Sequence, residues 1–170
     1  MWCSTAAVGC VDTSPFTDND NINPAVEAGV PNLMGDGSGD GNGDGIADAV
    51  QVNVASVPTF GGSSTSNAFV TVAVPPGISL TNVYTLDPGN GSQVVAPPPG
   101  LVLPEGLTKF LVRGITPGSD VVVQVYTAST AGITGYAKYD ELRRTWSVLP
   151  SARGHVNEAH KGDTGLKDKP

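Results

Sequence analysis

The sequence predicts an all-β fold, and three observations lead to this class. Short Val-rich segments alternate apolar and polar residues with a period of two, as at Val121, Val123 and Val125, which is typical of half-buried strands. The 22 glycines and 14 prolines among 170 residues separate these segments and mark turns. About seven or eight short strands at this spacing predict an antiparallel β-sandwich.

The predicted strands end at recognisable turn signals. Pro75-Pro76-Gly77 ends one strand and Asp87-Pro88-Gly89 ends the next. The Pro-rich segment 92–107 predicts an extended crossover with a short edge strand. In order, the predicted strands are residues 52–57, 68–74, 80–86, 101–103, 108–115, 119–127, 136–139 and 145–149.

Two hairpins are expected among these strands. One joins residues 108–115 to residues 119–127 around the turn Thr116-Pro117-Gly118. The other joins residues 136–139 to residues 145–149, with Trp146 as an aromatic of the core or its rim.

A different pattern precedes the first strand. From Asp36 to Asp44 an oxygen-bearing side chain stands at every second residue, and glycine stands between. With Asp40 as the first position, the order D-x-N-x-D-G is that of an EF-hand-type calcium loop. Glycine lets the backbone take positive φ, so that roughly six to eight oxygens can surround the ion. The calcium ligands predicted here are Asp36, Ser38, Asp40, Asn42, Asp44, the Ile46 carbonyl and Asp48. Asp36 and Ser38 either complete this site or form a second, adjacent one.

This loop departs from the EF-hand pattern at its twelfth position, where Gln51 replaces the bidentate Glu and is a weaker ligand. The alternative interpretation is a flexible acidic glycine linker. The regular alternation, which stops at the apolar Ile46, favours calcium.

A degenerate copy of the loop lies 24 residues upstream, within residues 16–34, where residues 18–27 align with residues 42–51. Two ligand positions are lost in it, at Phe16 and Pro24, and Glu27 restores one carboxylate where Gln51 stands in the later copy. The copy predicts a weaker or shared calcium site, and the alternative is that its acidic residues only form turns. Its predicted ligands are Asp18, Asp20 and Glu27.

The chain is therefore expected to open with a calcium-loop segment that precedes the β-sandwich. Ile22 and Ile46 stand at equivalent positions of the two copies and are expected to anchor each loop in the core. The predicted segments are a lead-in with the degenerate repeat at 1–34, the calcium loop at 35–51, the sandwich at 52–150, and a polar tail at 151–170, which composition predicts to be loop or disorder.

Charge is distributed unevenly along the chain, whose net charge is −7. No Lys or Arg precedes Lys109, and eight carboxylates lie within residues 12–48. These carboxylates repel one another unless a cation neutralises them, and divalent cations are suited to this. Nucleic-acid binding is not expected, since it needs clustered basic residues. Direct membrane insertion is not expected either, since no apolar run approaches the length of a membrane span.

Other residues indicate the compartment and argue against catalysis. Cys3 and Cys10, both near the amino terminus, favour an oxidising compartment, whether or not they form a disulfide. No basic start followed by an apolar core is present, so no secretion signal is visible. The only histidines, His155 and His160, lie in the polar tail. With no G-x-S-x-G and no H-E-x-x-H motif, we do not expect an enzyme.

Several segments resemble a known family. Residues 39–51 and 53–56 resemble the opening of the bacterial choice-of-anchor U surface domain, and the Asp/Gly stretch is also similar to thrombospondin type 3 repeats. The resemblance spans roughly residues 35–150 and implies a secreted or cell-surface, non-catalytic module of an envelope-anchored protein. At its end the chain departs from the family, which continues into a further strand and another Asp/Gly-rich segment. The later matches are residues 74–77 (VPPG), 86–88 (LDP), 114–119 (GITPGS) and 136–140 (YAKYD).

The leading hypothesis is thus a calcium-binding, non-enzymatic structural or adhesion module on the cell surface. A second hypothesis is a β-sandwich that binds a carbohydrate or a protein partner, by analogy with other sandwiches. A third is a self-assembling subunit that pairs by strand addition at an open sheet edge. The aromatic residues available for a ligand platform are Tyr84, Tyr126, Tyr136, Tyr139 and Trp146.

Overall fold

The computed structural model describes residues 18–31, 39–60, 68–89, 91, 94–103, 105–127, 135–149, 155–157 and 161–163. Strands predominate in these residues, and helix is limited to α1, Pro24–Glu27, and one 3₁₀ turn, Asp48–Val50. The all-β class is therefore confirmed. The strands are β1 Val54–Pro58, β2 Phe69–Ala73, β3 Ser79–Leu86, β4 Leu107–Arg113, β5 Gln124–Thr127, β6 Tyr136–Asp140, β7 Thr145–Leu149, β8 His155–Asn157 and β9 Lys161–Asp163.

The strands pair as small antiparallel sheets. A three-stranded sheet has the order β1-β2-β5, and the pairs β3-β4, β6-β7 and β8-β9 form two-stranded sheets. The β6-β7 hairpin confirms its prediction, with Tyr139 opposite Trp146.

The main apolar core lies between the β1-β2-β5 sheet and the β3-β4 sheet. Residues of one sheet alternate between its two faces, so Ala55 and Val57 of β1 face this core while Val54 and Ser56 face away. Leu80 and Val83 contribute from β3. The buried members are Ile22, Ala55, Val57, Val70, Val72, Val74, Leu80, Val83 and Val123.

The opposite face of the three-stranded sheet carries hydroxyl groups in its middle. Ser56 of β1 stands opposite Thr71 of β2, and their hydroxyl oxygens lie 2.6 Å apart. Val54, Ala73 and Tyr126 form a small apolar cluster on this face. Two loops that precede β1 lie near this sheet: the first loop, residues 18–27, and the second loop, residues 40–51.

Three predictions about strands are wrong. The hairpin of residues 108–127 does not form: Ser119 N donates to Thr116 O at 3.0 Å, so the turn exists, but β4 pairs with β3 and β5 with β2. Residues 101–103 do not form a strand. The polar tail, predicted to lack regular structure, contains the short β8-β9 pair.

Strand β3 contains an irregularity where the first loop docks. The register against β4 shifts between Thr81 and Tyr84, and Asn82 has a left-handed φ of 53°. Asparagine tolerates this region because its short side chain can hydrogen-bond locally. Within the described part of the chain, no helix is long and apolar enough to cross a membrane.

Candidate metal centre

The two loops have the same backbone conformation at equivalent positions. Asn19 and Gly43, which are 24 residues apart, have φ of 69° and 70°. Asn21 and Gly45, at the same offset, have φ of 75° and 88°. Asparagine in the first loop therefore takes the conformation that glycine takes in the second, as its tolerance of positive φ allows.

Hydrogen bonds repeat at the same offset. Ile22 N donates to Asp20 Oδ1 at 2.7 Å, and Ile46 N donates to Asp44 Oδ1 at 2.9 Å. A helical turn follows in each case, α1 after the first loop's turns and Asp48–Val50 after the second's. The repeat seen in the sequence is thus a repeat of local structure, and the differences between its side chains can be compared position by position.

The first loop is docked on the bulge of β3. Val83 N donates to the Asp20 carbonyl at 3.0 Å, and the Asn21 side-chain amide donates to Asn82 Oδ1. Ile22 is buried in the main core, as expected, but Ile46 is 51% exposed, so the expectation that both isoleucines anchor their loops is wrong for Ile46. The second loop has less apolar anchoring than the first.

Helix α1 brings Glu27 against the edge of β1. Asn23 caps the helix by accepting from Ala25 N at 2.8 Å, and Pro24 stands at its first position, where its missing N–H costs nothing. Glu27 is fully buried, and its Oε1 accepts from Ser56 N at 3.2 Å. The carboxylate therefore satisfies an edge amide of β1 that has no strand partner on that side.

Three acidic side chains converge next to this edge. Asp18, Asp20 and Glu27 are 3%, 0% and 0% exposed, and each offers an oxygen that lies within 4.8 Å of the others. Oxygens bound to one Ca²⁺ at about 2.3–2.6 Å can be separated by up to twice that distance. Among the described residues, Asp18 Oδ2, Asp20 Oδ2 and Glu27 Oε2 are buried without a hydrogen-bond partner.

A fourth buried carboxylate, Asp48, comes from the second loop. Its Oδ2 accepts from Gly41 N at 2.8 Å and from the Ser56 hydroxyl, while its Oδ1 is buried without a partner among the described groups. Ser56 therefore contacts both Glu27 and Asp48, through its amide and its hydroxyl. The negative charge of Asp48 is also one of the causes that raise the pKa of Glu27. Asp48 therefore borders the three converging carboxylates, of which it is not itself a member.

The carboxyl groups of this centre have raised pKa values, because burial disfavours their charged form. Burial, aided by the charges of Asp20, Asp18 and Asp48, raises the pKa of Glu27 to about 9. Burial raises the pKa of Asp20 to about 7 and that of Asp48 to about 6, and it raises the pKa of Asp18 as well. Buried carboxylates must be protonated or paired with a cation.

Neither of the described ion pairs brings a Lys or Arg side chain to this centre. Lys109 Nζ lies 2.5 Å from Glu141 Oε1, and Arg143 binds Asp140 at 2.7 Å. Both pairs involve carboxylates outside the two loops. The acidic groups that converge at the centre offer carboxylate oxygens, which hard divalent cations such as Ca²⁺ and Mg²⁺ prefer.

The second loop satisfies the carboxylates of Asp40 and Asp44 by hydrogen bonds within the loop. Asp40 Oδ1 accepts from Gly43 N at 2.7 Å and Asp44 N at 3.1 Å, and Asp40 Oδ2 accepts from Gly45 N at 2.8 Å. Asp44 Oδ2 accepts from the Asn42 side-chain amide at 2.9 Å. The loop predicted as the main calcium site is thus closed by internal hydrogen bonds.

The structure groups only some of the predicted ligands. Asp18, Asp20 and Glu27 converge, Asp48 lies beside them, and the predicted ligands Asp40, Asn42, Asp44 and Ile46 remain in the second loop. Asp36, Ser38, Cys3 and Cys10 lie outside the described residues.

Sequence reasoning missed Ser56, Thr71 and Asn82. Ser56 and Thr71 each stand at the centre of a strand whose neighbours are apolar, in VASVP and FVTVA. A hydroxyl at the centre of an otherwise apolar strand could have indicated a buried polar contact, because a buried hydroxyl group requires a hydrogen-bond partner. Nothing local to Asn82 indicated that it would receive the first loop.

Three of the aromatic residues considered for a ligand platform make contacts within the protein. Tyr126 is buried. Trp146 Nε1 donates to the Val95 carbonyl at 2.8 Å, and Val95 N donates to the Tyr139 hydroxyl at 3.2 Å. The rings of Tyr139 and Trp146 pack at 5.0 Å between centroids, so this pair holds the Pro-rich segment.

Comparison of the chain with protein-family models, curated proteins and solved structures gives no match. The residues and geometry of the acidic centre are therefore the features that indicate a function. Fold class alone carries little information about function.

Proposed function

We propose that the chain is a non-enzymatic, calcium-binding structural or adhesion module of a bacterial envelope protein, located outside the cell. The observation that carries the proposal is the acidic centre, defined as Asp18, Asp20, Glu27 and Asp48. Each of these buried side chains has a carboxylate oxygen without a hydrogen-bond partner in the described residues. Leaving such charges buried and unpaired costs several kcal/mol or more, which one divalent ion can offset.

Calcium fits this centre better than other cations. Among the described residues the centre has carboxylates and neither imidazole nor thiolate, and this donor set disfavours zinc and copper. Magnesium usually keeps several waters and binds through one or two carboxylates, whereas calcium accepts cages made largely of protein oxygens. The likeness of the second loop to calcium loops supports the same ion.

The proposed role of calcium is to fasten the loop segment to the sheets. The first loop contacts β3 through Asp20 and Asn21, and Glu27 and Asp48 both contact Ser56 of β1. We propose that the β1-β2-β5 and β3-β4 sheets are layers of the expected sandwich, since they share the main core. An ion bound at the acidic centre, beside the edge of β1, would fasten both loops to these sheets.

A thermal melt of the full chain at neutral pH tests this function. Calcium at 100 times Kd should stabilise the folded chain by about 2.7 kcal/mol, and EGTA should reverse the rise in melting temperature. Asp20→Asn should clearly reduce the response, because it removes a charge from the centre and weakens calcium binding. Asp120→Asn, which removes an exposed carboxylate, should retain it.

Two outcomes would refute the proposal. Equal melting temperatures of the wild-type chain in calcium and EGTA would show that the centre binds no calcium. A response that Asp20→Asn and Asp120→Asn preserve equally would place any bound calcium elsewhere.

A further inference from the structure

The twelfth position of the two loops differs by one functional group. Glu27 ends the first loop and Gln51 ends the second, 24 residues later. Both side chains are buried, at 0% and 8% exposure. The surrounding backbones share their positive-φ positions and their Asp-to-Ile hydrogen bond, so the loops form a matched pair in which carboxylate is exchanged for amide.

The Gln51 amide links two groups that a calcium ion would link. Its Nε2 donates to Asp44 Oδ1 at 3.1 Å and to the Ile46 carbonyl at 3.1 Å. Asp44 and Ile46 stand at the fifth and seventh positions of the loop, which in EF-hand-type loops bind the ion together with the twelfth residue. The two N–H groups of one side chain therefore connect the oxygens that would otherwise repel one another.

The first loop has no such donor. An ionised Glu27 side chain carries no hydrogen to donate, and its Oε2 and the Asp20 Oδ2 are both buried without a partner among the described groups. Asp20 is the equivalent of Asp44. Where the second loop has an amide–carboxylate hydrogen bond, the first loop has two carboxyl groups that, once ionised, need a cation between them.

We propose that the two loops neutralise their carboxylates by different means: the first loop binds one calcium ion, whereas in the second loop the Gln51 amide takes the place of an ion. This inference rests on the proposed calcium-binding function and specifies it. The second loop contributes Asp48 to the acidic centre but keeps its own shape without metal. The loop that matches the calcium pattern better in sequence is the one that does not require calcium.

Substitutions at equivalent positions test the inference. Calcium stoichiometry of the full chain is measured by isothermal titration calorimetry for the wild type, Asp20→Asn and Asp44→Asn. We expect one ion for the wild type, binding at least about tenfold weaker for Asp20→Asn, and one ion of nearly wild-type affinity for Asp44→Asn, since loss of a group that supports a metal site commonly costs that much.

The outcomes separate this inference from the proposed function. Two ions in the wild type, or loss of binding in Asp44→Asn, would overturn the inference and leave calcium binding intact. No binding by the wild type would overturn the proposed function and the inference with it.

Exchange of the twelfth residues tests the role of the amide directly. Gln51→Glu should raise the stoichiometry to two ions, because it removes the amide donor and gives the second loop a carboxylate at its twelfth position, facing Asp44 as Glu27 faces Asp20. Glu27→Gln should remove the calcium response and give a metal-free chain that melts above the metal-free wild type, because the new amide can donate where Gln51 does. A Gln51→Glu chain with wild-type circular dichroism and one ion contradicts the proposal, as does a metal-free Glu27→Gln chain that melts below the wild type.

Discussion

At the scale of single residues, Gly41 shows how closely the second loop approaches the sheet. A Cβ at this position would lie 2.0 Å from Thr71 Oγ1, 2.8 Å from Ser56 Oγ and 2.9 Å from Asp48 Oδ2. Real Cβ atoms do not approach other atoms within 3.0 Å. Glycine is required here for space, since the hydroxyl pair of β1 and β2 and the acidic centre meet directly beneath it.

Gly41→Ala should therefore destabilise the chain. Over-packing a filled site typically costs about 1–3 kcal/mol, and about 1 kcal/mol lowers the melting temperature of a chain of this size by roughly 2–4 °C. Gly91→Ala is the control, because a Cβ at Gly91 meets nothing within 4 Å. Equal chemical denaturation midpoints for the two variants would contradict the close approach.

The oxygen-rich residues of the centre were predictable from the sequence, but their arrangement was not. Alternating acidic residues identified Asp18, Asp20 and Glu27, since calcium ligands recur at fixed spacing along a loop. The partnership of Ser56 with both Glu27 and Asp48 depends on packing between distant segments, which no local pattern encodes. The same holds for the Gln51 hydrogen bonds, although the change from Glu to Gln was visible.

At the scale of elements, the β6-β7 hairpin holds the Pro-rich segment in place. Trp146 donates to the Val95 carbonyl, and the Tyr139 hydroxyl accepts from Val95 N. Residues 98–103 contain little regular structure beyond a turn in which Leu101 N donates to Pro98 O at 3.0 Å. The Trp146 and Tyr139 side chains of the hairpin thus provide hydrogen-bond partners for the backbone of Val95, in the Pro-rich segment.

Trp146→Phe should loosen this segment without affecting calcium. The ring is largely retained, but the Nε1 donor to Val95 is lost, which typically costs about 0.5–1.5 kcal/mol. Hydrogen exchange of residues 94–103 should accelerate, while calcium affinity stays at the wild-type value. Leu142→Ser at the 97% exposed hairpin tip is the control, and unchanged exchange in Trp146→Phe would contradict the role of the indole.

Turns in this fold are determined by neighbouring residues, whereas strand pairing is not. Thr116-Pro117-Gly118 predicts a turn, and the turn forms, because proline and glycine fix backbone angles within a few residues. The choice of strand partner depends instead on which apolar side chains become buried together. Phe110 and Val112 of β4 pack on the core beside β3, and burial of these side chains decides the partner, so the predicted hairpin splits between two sheets.

At the scale of the whole molecule, the charge distribution separates the chain into two parts. The segment before Lys109 has ten carboxylates and no basic residue, and the acidic centre buries four of these carboxylates against the sheets. The described ion pairs lie in the later part, at Lys109–Glu141 and Arg143–Asp140. The stability of the loop segment should accordingly depend on protons or divalent cations from solution.

This dependence gives a pH prediction for the metal-free chain. The folded-state pKa values of Glu27 and Asp20, about 9 and about 7, exceed their ordinary values of 4.5 and 3.8. Between about pH 4 and pH 9 the unfolded chain therefore loses these protons before the folded chain does. The contribution of these two groups to the free energy of unfolding is complete below about pH 4 and is lost as pH rises. The loss is up to about 1.4 kcal/mol per pH unit for each proton that the folded chain binds in excess of the unfolded chain.

Calcium should reverse this dependence, because the ion replaces the protons on ionised carboxylates and competes with them on acidification. The rise in melting temperature caused by calcium should be largest near pH 8 and should vanish as the pH approaches 4. Melts of calcium-depleted and calcium-loaded chain across this range measure it, and the difference between the two series cancels titrations elsewhere in the molecule. If the calcium increment were the same at pH 5 and pH 8, or if it fell as the pH rose, the buried carboxylates would not be the groups that hold the ion.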